Sequence, residues 1–232
     1  MTSSPSPATR EALSAIADPE IRLLTSRFTR YLADEDLAFR PVDFLARHAA
    51  ELADYARVRP AGTALVRIAD LDHAPATDCV LQIVTDDMPF LVDSVTASLG
   101  VQGRAIHLVI HPQFVVRRDV AGALQEVLDV DDEAELPEGA IVESWMHVEI
   151  DRETDSAALT DIQVQLQRVL RDVREAVEDW QRMLAKAVAS ADELEAAPPA
   201  TVPADEVAES VDLMRWLVGE HFTFLGYREY SL

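Results

Sequence analysis

Cysteine is nearly absent from this sequence. Cys79 stands alone among 232 residues, which excludes an internal disulfide and any zinc site built on several thiolates. Lysine is equally scarce: nineteen of the twenty basic side chains are Arg, and only Lys186 is Lys. Schiff-base chemistry needs an amine desolvated in a pocket. Lys186 lies late in a long helical pattern with polar sides, where a solvated surface amine is expected. The seven glycines, at 62, 100, 103, 122, 139, 219 and 226, include no G-x-G. Neither a dinucleotide fingerprint nor a phosphate-cradling loop can be written on the chain. No apolar run approaches the roughly 18–20 residues of a membrane span. The opening Met1-Thr2-Ser3-Ser4-Pro5-Ser6-Pro7 lacks the basic-then-apolar order of a secretory signal. Positive charge is the last scarcity. Forty-two acidic against twenty basic residues give a net charge of −22, which opposes nucleic-acid backbones and anionic membrane surfaces. A cytoplasmic protein with no nucleic-acid or membrane partner is expected.

Apolar residues make up 49% of the chain, enough for one or two ordinary domains. Residues 1–10 read as a disordered leader and 11–61 as a helical segment. Ile21, Leu24, Phe28 and Leu32 recur at helical spacing, as do Leu45, Ala49, Leu52 and Ala56. Pro41 suits the first turn of the second helix, and Arg59-Pro60-Ala61-Gly62 stops the helical region. The period then falls to two. Leu65–Ile68, Cys79–Val84, Ala105–His111 and Phe114–Arg118 read as strands, and Asp119–Gly122 as a hairpin turn into a strand over 123–130. An acidic loop follows over 131–139. Val142 to Ile150 then alternates, with Glu143, Trp145, His147 and Glu149 on the more polar side, where Trp145 requires cover. The middle section thus has the order strand, helix, strand, strand, strand, helix, with an α+β domain over residues 62–155. The expected fold class is α+β: a ferredoxin-like antiparallel sheet with helices on one face, preceded by the helical segment and followed by a long amphipathic helix. That helix is expected over 156–195, a linker over 196–204, and the start of a further module, helix plus strand, over 205–232. The apolar strand near the end suggests a polypeptide that continues.

Three constellations invite a chemical reading. His107, His111 and His147 could converge on a metal, although no carboxylate completes the set and polar edges of the sheet explain them as well. Asp129, Asp131, Glu133 and Glu135 imitate half a calcium loop, but Ala134 and Ala140 stand where glycine and a bidentate glutamate are required. The third is the strand-to-helix corner Asp86-Asp87-Met88-Pro89-Phe90. There the aspartates are expected to cap the helix beginning at Met88-Pro89, and free amides could receive a carboxylate.

The runs Val84–Val95 and Ile106–Pro112 resemble the N-terminal region of the large-type bacterial NAD-dependent glutamate dehydrogenases. Val116–Asp119, Glu143–His147, Asp172–Trp180 and His221–Arg228 extend the resemblance, in order, over about residues 20–232. The resemblance implies ACT-like modules, ferredoxin-like folds used for regulation and assembly, with the catalytic domain and its NAD site well downstream. It therefore implies no catalytic, cofactor or metal residue in this chain. The partners implied are the rest of the same polypeptide, further copies in a homo-oligomer and an amino-acid effector. Asp86, Asp87, Met88, Pro89 and Phe90 form the effector or interface corner. One departure concerns Phe90, which stands where amino-acid-binding ACT modules usually place glycine; its ring would crowd a ligand and favours a packing role. A free-standing amino-acid sensor is the alternative expectation.

Overall fold

The computed structural model describes residues 7–30, 32–33, 36–37, 40–69, 78–130, 135–228 and 230. Helix α1 is Pro7–Ser14, α2 Pro19–Thr29 and α3 Val42–Tyr55. Part of the expected leader is therefore helical, and residues 1–6 lie outside the described residues. Asp18 starts α2: its Oδ1 accepts from the amides of Glu20 at 2.9 Å and Ile21 at 3.2 Å, and Pro19 fits the first turn.

The sheet strands are β1 Leu65–Ala69, β2 Asp78–Asp86, β3 Ile106–Ile110, β4 Gln113–Arg118, β5 Leu124–Leu128 and β6 Ala140–Asp151. All pairings are antiparallel. β6 is the central strand. β2 lies along one side of it, from Asp78↔Asp151 to Asp86↔Glu143. Along the other side β3 and β4 follow one another, from Ile106↔Ile150 to Arg117↔Ala140. Pro112 interrupts them because it has no N–H to donate, while its carbonyl still accepts from Trp145 N at 3.1 Å. β1 closes the edge beside β2, and β5 pairs with β4.

A ferredoxin-like sheet is ordinarily completed by a strand following its second helix. Here the strand preceding the unit, β1, pairs with β2 instead. Its outward carbonyl at Val66 is covered by Gln163 Nε2 at 2.7 Å, which blunts that edge.

Alternation sorts the sheet into two faces. One carries Val84, Leu108, Ile110, Phe114, Val116 and Trp145 against Leu24 and Phe28 of α2 and Leu45, Ala49 and Leu52 of α3. The other carries Leu81, Ile83, Met146, Val148 and Ile150, all buried. Its cover is supplied by helix α4, Leu91–Val101, through Leu91, Val95 and Leu99, and by α5, Ser156–Ala196, through Ile162, Leu166 and Leu170.

The chain divides into two compact units, Met1–Arg171 and Asp172–Leu232, and the division falls inside α5. The second unit holds the distal part of α5, helix α6 (Ala204–Trp216) and a π-helical turn, Leu217–His221. Ala191, Val207 and Val211 form its small core, with Leu194 and Met214 packed against them. The strand expected near the end is not formed. Phe222 is extended, but a strand requires a hydrogen-bonded neighbour, and no described residue provides one to residues 223–228.

Candidate functional site

The corner between β2 and α4 departs from its expected form. β2 runs through Asp86, and α4 begins only at Leu91, three residues beyond Met88. The residue before the helix is Phe90, at φ +70 and ψ 4, and no side chain caps the helix. Phe90 is the one non-glycine residue with positive φ among the described residues, so it holds the left-handed conformation that glycine takes readily. The aspartates have other partners. Asp86 Oδ1 accepts from Arg59 Nη2 at 2.5 Å, and the Asp87 amide donates to Val142 O at 3.1 Å. Met88 and Pro89 simply carry the chain across this turn. Asp87 Oδ1 also lies 4.0 Å from His111 Nε2, and Ser144 Oγ contacts the same nitrogen.

Ser144, His111 and Asp87 have the residue types of a hydrolytic triad but not its geometry. Such a triad places hydroxyl and carboxylate on opposite ring nitrogens. Here both contacts fall on Nε2, and Ser144 is fully buried. Burial lowers the pKa of His111, which favours its neutral form.

Beneath the corner lies a buried charge cluster. Glu143 Oε1 accepts from Arg59 Nε at 2.9 Å and Nη2 at 2.8 Å, and from Arg118 Nε at 2.5 Å. Its Oε2 accepts from Arg118 Nη2 at 2.7 Å and Trp145 Nε1 at 2.8 Å. The remaining guanidinium donors reach carbonyls: Arg59 Nη1 that of Thr63, Arg118 Nη1 those of Ala56 and Gly122. Burial opposes the charge on Arg59, but its bonds to Asp86 and Glu143 outweigh this and raise its pKa. Losing Glu143 would leave two buried guanidiniums short of their carboxylate, a loss worth about 3–5 kcal/mol.

A second cluster sits farther along the same face. Arg40 Nε donates to both oxygens of Glu149, at 3.1 and 3.2 Å, and His147 Nε2 lies 3.4 Å from Glu149 Oε1. Burial would push the Glu149 pKa up, yet the bonds from His147 and Arg40 dominate and hold it at about 2. The His147 ring meets Phe28 of α2 and His48 of α3 edge-on, at 5.4 and 5.0 Å. Gln82, paired with His147 across the sheet, accepts from Arg67 Nε at 2.7 Å.

The three histidines are therefore dispersed. A bulge between Ile106 and Leu108 breaks the alternation at His107, which is exposed; His111 lies at the corner, and His147 lies under the helices. No three-residue metal cluster exists among the described residues. Asp131 and Glu133 of the calcium-like run lie outside the described residues, while Asp129 pairs with Arg27 at 3.4 Å. Lys186 is exposed, with its amine 5.7 Å from the Tyr227 ring centroid.

Sequence reasoning missed Arg59, Arg118 and His48, and it read Glu143 and Glu149 merely as the polar side of a strand. The available signal was Trp145, lying between those carboxylates and needing cover. A groove of about 800 Å³ between α4 and α5, lined by Ser94, Ser98, Gln102, Arg104 and Asp161, offers little electrostatic attraction for an anion. Arg104 is already paired with Glu153 at 2.8 Å and with Asp151 at 3.9 Å. The charged groups around this sheet thus act on one another, in the manner of a scaffold.

Residues 24–166, more than half of the chain, match the family model for the glutamate dehydrogenase ACT1 domain. The chain belongs to that family. The matched stretch takes in most of α2 as well as α3 and the sheet, so the helices covering the charge clusters fall within the ACT1 match. Among curated proteins, the NAD-specific glutamate dehydrogenase of Halomonas elongata is 39% identical over 157 residues, 68% of this chain and 10% of the relative. That of Pseudomonas aeruginosa is 36% identical over 157 residues, 68% of this chain and 9% of the relative. That of Mycobacterium tuberculosis is 30% identical over 172 residues, 74% and 10%. The ACT1 chain spans about a tenth of the length of the curated relatives it matches.

Proposed function

We propose that this ACT1 chain is the non-catalytic N-terminal segment of a large NAD-dependent glutamate dehydrogenase, acting in assembly and regulation of the enzyme. The complete cytoplasmic enzyme would convert L-glutamate, NAD and water to 2-oxoglutarate, ammonia and NADH, with NAD bound elsewhere on the polypeptide. The observation that carries this reading is the ACT1 match over residues 24–166, together with the similarity of 157 residues to NAD-specific glutamate dehydrogenases. The buried charge clusters support it: Arg59, Arg118 and Arg40 hold Glu143 and Glu149, which leaves those carboxylates no free role as a general base. The corner Asp86–Phe90 is the surface offered to the rest of the polypeptide or to another copy in a homo-oligomer. The Phe90 ring, 45% exposed, favours packing there over capture of an amino-acid effector. No helix of the described residues is long and apolar enough to cross a membrane.

The test is glutamate-dependent reduction of NAD, measured for the 232-residue chain and for the full polypeptide encoded by its gene. The expected result is turnover by the full polypeptide alone. Turnover by the 232-residue chain would contradict the proposal.

A further inference from the structure

Phe222-Thr223-Phe224-Leu225-Gly226-Tyr227-Arg228 follows the π-helical turn without regular secondary structure, and Phe222 itself is extended at φ −147 and ψ 142. No backbone hydrogen bond joins residues 223–228 to another described residue. Alternate residues of an extended chain share a face, which as a strand would put Phe222 and Phe224, whose rings are already 5.3 Å apart, on one side and Thr223, Leu225 and Tyr227 on the other. Both sides are apolar, which is the composition of a strand covered on both faces rather than one laid on a surface. Yet Phe222 is 55% exposed and Leu225 69%. On α6, Val207 and Val211 face the small core, whereas Leu213 and Trp216 are exposed on the opposite side. A helix that leaves Leu213 and Trp216 exposed among acidic side chains, followed by a segment whose alternate residues are apolar in both sets, is one half of a packed helix–strand unit.

The missing half is unlike a second copy of the same unit. Residues 172–232 carry thirteen acidic side chains against five basic ones, so two such units would bring like charge together. The relatives, by contrast, extend about tenfold beyond the stretch they share with this chain.

We propose that residues 222–228 form an interior strand of a second sheet whose neighbouring strands are supplied by polypeptide following residue 232, with α6 packed on that sheet through Leu213 and Trp216. The proposal rests on the reading of this chain as a segment of a larger enzyme. Hydrogen exchange followed by mass spectrometry tests it, on the 232-residue chain and on the full polypeptide.

In the 232-residue chain the amides of 223–228 exchange without protection at every protein concentration. In the full polypeptide they slow by on the order of a hundredfold or more. L225D removes that slowing and leaves exchange in β2 and β6 of the 232-residue chain unchanged. Equally fast exchange of 223–228 in both proteins overturns the proposal. So does protection in the 232-residue chain that grows with concentration, since a second copy would then be the occupant. Glutamate-dependent NAD reduction by the same full polypeptide reports separately on the enzyme reading. Turnover with unprotected amides overturns the strand alone, and protected amides without turnover overturn the enzyme reading alone.

Discussion

The sheet unit and the helical unit solve the burial of large side chains in opposite ways. In the sheet unit Trp145, Phe28, Phe114 and Met146 are fully or almost fully buried, and the charges that accompany them inward, Arg59, Glu143 and Glu149, are paired. In the helical unit Trp216, Phe222, Leu225, Tyr227 and Tyr230 are each at least 45% exposed around a core of three small buried side chains. Hydrophobic stabilisation scales with apolar area withdrawn from water. The first unit therefore closes on itself, whereas the second leaves large apolar side chains exposed to water. A domain can bury charge only where every partner is fixed. That requirement explains why ion pairs lie deep in the sheet unit and remain at the rim of the other, as with Arg215 beside Asp192 and Glu195.

The sharpest way to break this contrast is E143A. It should destabilise the 232-residue chain by about 3–5 kcal/mol in urea unfolding, because Arg59 and Arg118 lose a buried carboxylate. A loss below about 1 kcal/mol would mean that the cluster is solvated, as a surface pair would be. Next in size is G122A. Gly122 has φ +84, and a Cβ there would lie 2.3 Å from Arg59 O, so the cost should exceed about 1 kcal/mol by the same measurement.

Acid should separate the units as well. Burial lowers the pKa of His111 in the folded chain, so its contribution to stability is present above the ordinary value of 6.5 and is lost as pH falls below that toward the lowered folded value. The Glu149 carboxyl is lowered from 4.5 to about 2, so its contribution is present above 4.5 and is lost as pH falls toward 2. H111Q should flatten the first decline in unfolding free energy, and E149Q the second. Retention of both declines in these variants would assign them to other groups.

A smaller effect concerns Phe90. F90G should be more stable than F90A by about 1 kcal/mol, since both lose the ring and only glycine adopts φ +70 without strain. The smallest belongs to the helical unit: L225D should change the unfolding free energy of the 232-residue chain by no more than about 0.5 kcal/mol.

Most of the sheet was legible because period-two alternation survives in β2, β3, β4 and β6, and the switch from helical spacing after Gly62 marks its start. The corner was less legible. Asp-Asp-Met-Pro carries every local sign of a capped helix, yet the tertiary bonds of Asp86 to Arg59 and of the Asp87 amide to Val142 outcompete the cap. The buried clusters were illegible for a different reason. Alternation shows that Glu143, Trp145, His147 and Glu149 share a face, but not which face is covered, and the cover comes from α2 and α3, which end at Thr29 and Tyr55, far earlier in the chain. The segment 222–228 reads as a strand because composition reports what a segment can become, while a strand exists only once a neighbour pairs with it.

The most direct test of the idea that these charges hold the fold together without taking part in chemistry is E143Q in the full polypeptide, with kcat/KM for glutamate and thermal unfolding measured on the same sample. The expected result is a lowered Tm with kcat/KM per folded enzyme unchanged. An unchanged Tm with a collapse of kcat would contradict it and place Glu143 among the reacting groups.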